Sequence, residues 1–288
     1  MLFAAAFTLF TASLVNAQSS SSDTSLGIAA IEAHFSQSGI VPSLLSSFDP
    51  SGILNVSYNG VSLTPGQQLT KDQVASAPQI TFTPANSTVT TTGTYTLVMA
   101  DADIVGTDES LGQTRHWLVN GVTVGTGGTG ASHIEFLFHF PPYSVSTSGG
   151  IPVTQYAGPA PAAGSGPHRY VILLLPQPSS FSPPANLTQP NVGVSVFHLT
   201  DYISTSNLGS PVGGFYLTVE EGTATVTPSS TSPVVTSTLQ PSKAASSSAP
   251  ASSGSSTPKT QTPNAALSAQ LVSLPLAILA SVVGFLVL

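Results

Sequence analysis

The sequence predicts a mainly β domain of the β-sandwich type, with a few peripheral helices. Short runs rich in Val, Ile, Leu, Phe and Tyr recur between residues 52 and 220, bounded by clusters of Gly, Pro and Asn. Helical patterns are confined to a stripe through Ile28, Ile31 and Phe35 and to a second candidate at 194–206. Many short strands with one or two helices are typical of packed β layers.

The strands follow from local composition. Asn59-Gly60 suits a type I′ turn, so the apolar runs on either side of it should form a hairpin. The predicted strands are 52–58, 61–63, 79–83, 95–102, 117–124, 133–140 and 170–175. The chain contains no cysteine, and a domain of about 200 residues can bury enough apolar surface to be stable without disulfides.

The two ends of the chain predict export and a lipid anchor. Residues 1–17 hold an apolar run that closes on small residues, as a secretory signal peptide does. Residues 264–288 end in an apolar tail, 271–288, with no basic flank, and this is typical of a GPI-attachment signal that is removed from the mature protein. Asn264 is the preferred attachment residue, and Gly254-Ser255 is the alternative. The expected location is the outer cell surface, with GPI lipid as the only membrane contact.

Between these ends we expect a folded domain at 18–222 and a stalk at 223–263. The stalk is dominated by Ser, Thr, Pro and Ala, so it has little apolar surface to bury and is predicted to be disordered and extended. Three Asn-x-Ser/Thr sequons, at Asn55, Asn86 and Asn186, predict N-glycosylation on the solvent face of the domain.

Charged residues are scarce, and the two arginines each lie beside a histidine, in two of four separated segments. Only 6% of residues are charged. The segments are 101–103 (Asp-Ala-Asp), 115–120 (Arg-His-Trp-Leu-Val-Asn), 156–161 (Tyr-Ala-Gly-Pro-Ala-Pro) and 164–171 (Gly-Ser-Gly-Pro-His-Arg-Tyr-Val). Imidazoles from two strands can present N–H donors and positive charge to an anion such as phosphate, while a carboxylate beside them orients an imidazole. The segments therefore predict a single polar pocket.

These segments resemble the phosphatidylethanolamine-binding protein family. The resemblance extends to 48–50 (Phe-Asp-Pro) and to 208–216 (Leu-Gly-Ser-Pro-Val-Gly-Gly-Phe-Tyr), with the motifs in family order. It covers about residues 25–222, most of the chain between the predicted end segments. The resemblance implies a large antiparallel sheet packed on a smaller one.

The same resemblance implies a small anion-binding site. It assigns ligand contact to five residues, namely Asp101, His116, Pro161, His168 and Tyr216. Asp103 and Gly166 are expected to support the loops around the pocket. Arg169 is expected to pair with an aspartate of the Asp101–Asp103 loop rather than to contact ligand.

Several function classes are excluded or disfavoured. A net charge of −7 argues against nucleic-acid binding. Residues 125–130 satisfy the pattern G-x-G-x-x-G, but β-type residues follow where a nucleotide site needs a helix, so we expect a loop there. The sequence lacks G-x-S-x-G and H-E-x-x-H motifs. We therefore expect a protein that is not an enzyme and uses neither cofactor nor metal.

The predicted function is binding of an anionic small molecule or a phospholipid headgroup phosphate at the cell surface. One alternative is inhibition of a protease or another enzyme through surface loops, with the protease as partner. Another is a non-catalytic, glycosylated wall component whose pocket has no ligand. Slow hydrolysis in a pocket that contains Asp, His and Tyr is the least favoured interpretation.

Overall fold

The computed structural model describes residues 16–126, 142–229, 231 and 233–242. Within them the α-helices are α1 Asn16–Gln37, α2 Ile40–Ser43 and α3 Leu199–Thr205. The strands are β1 Gly52–Tyr58, β2 Val61–Ser62, β3 Gln68–Leu69, β4 Gln79–Pro84, β5 Thr94–Asp101, β6 Gln113–Thr126, β7 Tyr143–Ser146, β8 Ile151–Thr154, β9 His168–Pro176, β10 Ser195–Phe197 and β11 Gly213–Val219. Short 3₁₀ helices occupy Asp72–Val74, Glu109–Leu111, Ala185–Leu187 and Thr236–Thr238.

The described part of the chain contains no helix with the length and apolar character needed to cross a bilayer.

The local patterns located most elements correctly. The hairpin is confirmed, since Asn59 and Gly60 both adopt positive φ, 52° and 79°, between β1 and β2. The strands predicted at 79–83, 95–102, 117–124 and 170–175 correspond to β4, β5, β6 and β9. The strand predicted at 133–140 and most of the glycine-rich loop lie outside the described residues.

The second helix candidate was only partly right. Residues 195–197 form a strand, β10, whose backbone pairs with residues 113–115 of β6. The helix α3 begins only at Leu199. The helical pattern of this segment is weak, and pairing with a distant strand prevails in residues 195–197.

The strands of the described residues form one hydrogen-bonded sheet. Its order is β2-β1-β4-β7-β6-β5-β9-β11-β3, and β8 and β10 each pair additionally with β6. Neighbouring strands are antiparallel, with a parallel pair between β11 and β3. The central strands β6, β5, β9 and β11 form the larger antiparallel part.

The sheet curls into two layers around an apolar core. That core joins distant strands, since it includes Leu54 of β1, Phe82 of β4, Leu97 of β5, Ile172 of β9 and Phe215 of β11. Strands β1 and β4 are far from β9 and β11 in the strand order, so these side chains meet only if the sheet folds over itself. The chain is mainly β with two packed layers, as predicted.

A second core lies on the outer face of the larger layer, beneath the helices. It includes Ile31 and Phe35 of α1 and Tyr202 of α3, packed on Val98 of β5 and Leu173 of β9. Adjacent residues of β5 and of β9 therefore point into different cores. We call these two sides of the larger layer the inner face and the helix face.

Candidate functional site

Three of the predicted residues meet at one end of the larger layer, on its inner face. Asp101 ends β5, His168 begins β9, and His116 lies near the start of β6, so antiparallel pairing brings all three to the same end. Asp101 is directly opposite Tyr170 of β9, a residue of the inner core. We call Asp101, His116, His168 and Tyr170 the inner-face cluster.

The centre of this cluster is the pair formed by His168 and Asp101. Nδ1 of His168 lies 3.1 and 3.0 Å from the two carboxylate oxygens of Asp101. Oδ1 of Asp101 also accepts a hydrogen bond of 2.8 Å from the backbone N–H of Asp103, which fixes the carboxylate. Because a carboxylate only accepts, Nδ1 carries a proton and donates it to Asp101.

The surroundings raise the pKa of His168. Burial is the largest single influence and lowers this pKa, but the hydrogen bond and the charge of Asp101, together with the charge of Asp103, outweigh it. The positive charge of Arg169 opposes them weakly. The imidazolium form therefore persists to higher pH than in a solvent-exposed histidine.

Two buried polar atoms of the cluster have no hydrogen-bond partner in the described structure. They are Nε2 of His168 and the hydroxyl of Tyr170, although Asp101 and the backbone of Ala160 lie near enough to that hydroxyl to shift the pKa of the phenol. Nε2 lies 3.3 Å from Oδ1 of Asp103, a contact that makes an ion pair but not a hydrogen bond. The two rings are stacked with their centroids 6.5 Å apart, on the same face of β9. Buried polar atoms without partners are rare and point to a missing ligand or water.

Tyr170 was missed as a site residue by the sequence interpretation, which used it only as part of a strand. The sequence could have indicated Tyr170, because it lies two residues after His168 and residues i and i+2 of a strand lie on the same face. Burial and the charge of Asp101 raise the pKa of the Tyr170 phenol, so this residue stays a neutral donor.

His116 is turned toward the cluster by an irregularity in the sheet. The register of β5 and β6 shifts between Met99 and Ala100. Trp117 pairs with Met99 and Arg115 pairs with Ala100, so His116 has no paired residue on β5. Its ring meets that of Tyr170 edge to face at 5.2 Å. Nδ1 of His116 lies 3.0 Å from the backbone oxygen of Ala157, which assigns the proton to Nδ1 and leaves Nε2 as an acceptor in the neutral ring.

Pro161 and Gly166 belong to the loop that precedes β9. The backbone of Ala160 lies close enough to the Tyr170 hydroxyl to lower the pKa of that phenol, which places the buried Pro161 next to the cluster. Gly166 has φ 92°, and a Cβ there would lie 3.2 Å from Ile104. The glycine thus allows this loop to pack closely on the loop that follows β5.

Tyr216 is separated from the other predicted ligand residues. It lies opposite Val171 on the helix face, whereas its neighbours in β11 point to the inner core. Its ring packs edge to face on Phe35, at 6.0 Å, and lies 6.5 Å from His34. The structure therefore does not bring Tyr216 into the inner-face cluster, because strand alternation directs it to the opposite side.

Arg169 and Asp103 hold the loop that follows β5. Arg169 lies on the helix face and is paired at 2.9 Å with Glu109, so the expected pairing with an aspartate was wrong. The guanidinium also donates to backbone oxygens of the same loop and of Ser38. Asp103 has φ 54° and accepts a hydrogen bond from the N–H of Ile104 at 2.7 Å.

The first part of the predicted stalk lies along the domain. The N–H of Thr225 donates to the backbone oxygen of Gly164, and that of Ser229 donates to Val105. Further on, Ser242 donates to the backbone of Ser25. Thr225, Ser229 and Ser242 thus have backbone hydrogen bonds to the domain, and the disorder expected for 223–263 stays a prediction.

No group of three or more His, Cys, Asp or Glu side chains able to hold a metal ion occurs in the described parts of the chain. The cluster has two histidines and an aspartate, but Asp101 is already bonded to His168 and His116 to a backbone carbonyl. Its chemistry is that of hydrogen-bond donors around one stabilised imidazolium.

Comparison with known proteins agrees with this architecture. The family described as phosphatidylethanolamine-binding protein matches residues 58–216. The carboxypeptidase Y inhibitor of Saccharomyces cerevisiae is 36% identical over 152 residues, which cover 46% of this chain and 66% of that protein. The 26 kDa secreted antigen of Toxocara canis is 31% identical over 187 residues, covering 63% of this chain and 62% of that one. The chain thus spans slightly less than two thirds of both relatives.

A solved structure is similar as well. The crystal structure of carboxypeptidase Y inhibitor complexed with its cognate proteinase matches with a TM-score of 0.51 and 24% identity, over 74% of this chain and 100% of the inhibitor chain. At this identity the likeness concerns the fold. The family match covers more than half of the sequence and includes the strands that carry the inner-face cluster. The chain belongs to the phosphatidylethanolamine-binding protein family.

Proposed function

We propose that the inner-face cluster binds a small anionic group, such as the phosphate of a phospholipid headgroup. The observation that carries this proposal is the pair of buried atoms without hydrogen-bond partners, Nε2 of His168 and the hydroxyl of Tyr170. Both are donors when His168 is protonated, and its raised pKa favours that state. An anion held between them would satisfy two groups whose burial otherwise costs free energy.

Asp101 and Asp103 have different roles in this proposal. Asp101 holds the imidazole ring and its proton, and its carboxylate is available to the ammonium or hydroxyl of a headgroup. Asp103 is 48% exposed and lies 3.3 Å from Nε2 of His168, so its carboxylate has to turn aside before an anion binds. This movement gives up the hydrogen bond that Oδ1 of Asp103 accepts from the N–H of Ile104 at 2.7 Å. The carboxylate of Asp103 thus competes with the anion for Nε2 of His168 and lowers the affinity of the site for the anion.

The first test is calorimetric titration of the full chain with phosphorylethanolamine at about pH 6, where His168 is protonated. His168→Gln should weaken binding by roughly 10- to 100-fold, because a hydrogen bond to a charged group contributes about 1.5–3 kcal/mol. His34→Gln is the matched control, because His34 lies on the helix face beside Tyr216. Loss of binding in His34→Gln with none in His168→Gln would place the ligand at Tyr216 and contradict the proposal.

A second candidate function is inhibition of a protease through surface loops. It is supported by the 36% identity with a carboxypeptidase Y inhibitor over 152 residues. The expected result is inhibition of carboxypeptidase Y by the full chain, with the inhibition constant unchanged in His168→Gln. If that substitution removes inhibition and anion binding together, the two functions share one site and the surface-loop proposal fails.

We also propose that the protein is exported, N-glycosylated and tethered to the outer cell surface by a GPI lipid. The sequence patterns at 1–17 and 264–288 support this, and one relative is named as a secreted antigen. Asn55 and Asn186 are exposed, while Asn86 is half-buried. Phosphatidylinositol-specific phospholipase C should release the protein from eukaryotic cells, and an endoglycosidase should reduce its mass. A protein that stays cell-bound after the lipase contradicts the anchor.

A further inference from the structure

The second arginine of the domain is buried without a negatively charged partner. Arg115 on β6 is 1% exposed, the same as Arg169. Arg169 is paired with Glu109, whereas no carboxylate lies within ion-pair distance of Arg115 among the described residues. A buried charge without a counter-ion costs several kcal/mol, so an arginine kept in this state requires an explanation.

The hydrogen bonds of Arg115 fix most of its guanidinium. Nε donates to the hydroxyl of Thr154 at 2.6 Å, and Nη2 donates to the backbone oxygen of Gly193 at 3.0 Å and to the hydroxyl of Ser195 at 3.1 Å. The guanidinium carbon lies 5.3 Å from the centre of the Phe197 ring, a cation–π contact. All of these partners are neutral. Nη1 makes no hydrogen bond to the described residues and is not among their buried atoms without partners, so solvent reaches it.

Arg115 forms part of the wall of a cleft of about 360 Å³. The other polar side chains of the wall include Asn186, Ser195, His198, Asp201 and Tyr202. Arg115 pairs with Ala100, a residue of the helix-face core, so this cleft opens on the face opposite the inner-face cluster. Burial lowers the pKa of Arg115, as it also does for the ion-paired Arg169, and Tyr202 acts against it.

We propose that this cleft is a second anion site, which takes a phosphate or sulfate group on the guanidinium of Arg115. Nη1 supplies a charged donor, the hydroxyl of Ser195 can donate its own proton, and His198 supplies a third N–H. Three donors around one cleft suit a tetrahedral oxyanion better than a planar carboxylate. The anion neutralises the buried charge, and the remaining hydrogen bonds already hold the guanidinium in place, so little side-chain entropy is lost on binding.

Asp201 sets the selectivity of this site. Its carboxylate lines the same cleft without pairing to Arg115, so it repels a free anion. It can also bind a positively charged group carried on the same ligand. Replacing it by Asn should therefore strengthen binding of inorganic phosphate by a factor of about two to ten, the effect of one like charge in a partly solvated site.

The test uses the full chain carrying His168→Gln, which removes the proposed inner-face site, so that failure of one proposal leaves the other intact. Inorganic phosphate and sulfate are titrated separately at constant ionic strength, while the Nε–Hε resonances of Arg115 and Arg169 are followed by NMR. The Arg115 resonance should shift with increasing anion concentration until the site is saturated. The resonance of the ion-paired Arg169 should not shift. Sodium chloride is the control for non-specific screening.

Three substitutions test whether the anion binds at Arg115. Arg115→Gln should abolish saturable binding, Asp201→Asn should strengthen it, and Lys71→Gln, which removes a positive charge at an exposed position, should leave it unchanged. If Arg115→Gln fails to fold, the exposed Asp201→Asn variant and the resonance of the native arginine still decide the question. An Arg115 resonance that does not move with either anion, or an affinity unaffected by Asp201→Asn, overturns the proposal.

Discussion

Replacing Arg169 by Met should lower the free energy of unfolding by about 3–5 kcal/mol, since it leaves a buried carboxylate without its partner. The Nη2 to Glu109 Oε1 distance is 2.9 Å, with side chains that are only 2% and 6% exposed. The same guanidinium donates to the backbone oxygens of Ser38, Asp103 and Ile104, so the loop after β5 loses its main attachment. Urea unfolding followed by circular dichroism measures this difference.

The loss should depend on pH in a defined direction. Burial already raises the pKa of Glu109, although Gln113 and Arg169 act against it. Without Arg169 this pKa rises further, so Glu109 is neutral at low pH and charged only as the pH increases. The destabilisation of Arg169→Met should therefore grow with pH. The double variant Arg169→Met/Glu109→Gln should recover part of the loss, because no charge is then left buried.

An exposed pair in the same chain is the control. Lys71 and Glu221 lie 3.4 Å apart with 42% of each side chain exposed. Lys71→Met should change stability by less than about 1 kcal/mol, as is usual for solvated ion pairs. If Lys71→Met and Arg169→Met lowered the free energy of unfolding equally, burial would not be the reason that the Arg169–Glu109 pair stabilises the fold.

Asp101→Asn should move the pH range in which the inner-face cluster binds phosphate. In the native protein Asp101 raises the pKa of His168 from its ordinary value of 6.5, against the opposing effect of burial. Without that carboxylate, burial dominates and the pKa falls, although Asp103 still raises it. Above its pKa the imidazolium is lost, so affinity should decrease by about tenfold per pH unit.

The variant should also bind phosphate more tightly than the native protein at low pH, where His168 is protonated in both and the repulsion by Asp101 is gone. The two affinity curves are therefore expected to cross. Calorimetric titrations with inorganic phosphate over a pH series check this. Parallel curves would mean that His168 does not control binding.

The same linkage predicts how stability varies with pH. The pKa of folded His168 is raised above its unfolded value, so its contact with Asp101 contributes fully below about pH 6.5. That contribution is lost as the pH rises through the raised pKa. Asp101→Asn should therefore destabilise the protein more at low pH than at high pH, opposite in direction to Arg169→Met.

Much of the fold was readable from local sequence because its signals are short-range. The Asn59-Gly60 turn, the apolar stripe on α1 and the β-type composition of β4, β5, β6 and β9 depend on residues close together in the chain. The segment 195–197 was misjudged because its strand forms by pairing with residues about 80 positions earlier. The backbone hydrogen bonds of Thr225, Ser229 and Ser242 to the domain were missed for the same reason, since their partners are distant in the chain.

The sequence by itself singled out three of the four side chains of the inner-face cluster. Asp101, His116 and His168 stand out in a chain with 6% charged residues, and their motifs resemble one family. Only the tertiary structure decided which other side chains lie next to them. Tyr170 joins them and Tyr216 does not, because the face that a strand residue occupies depends on register and alternation across the whole sheet.

Only the tertiary structure shows that the two arginines have different environments. In the sequence Arg115 and Arg169 look alike, since each is adjacent to a histidine. In the fold one is paired with Glu109, 60 residues away, and the other is buried among neutral groups. The free energy of a charge depends on burial and on partners brought from distant parts of the chain, and local sequence holds neither.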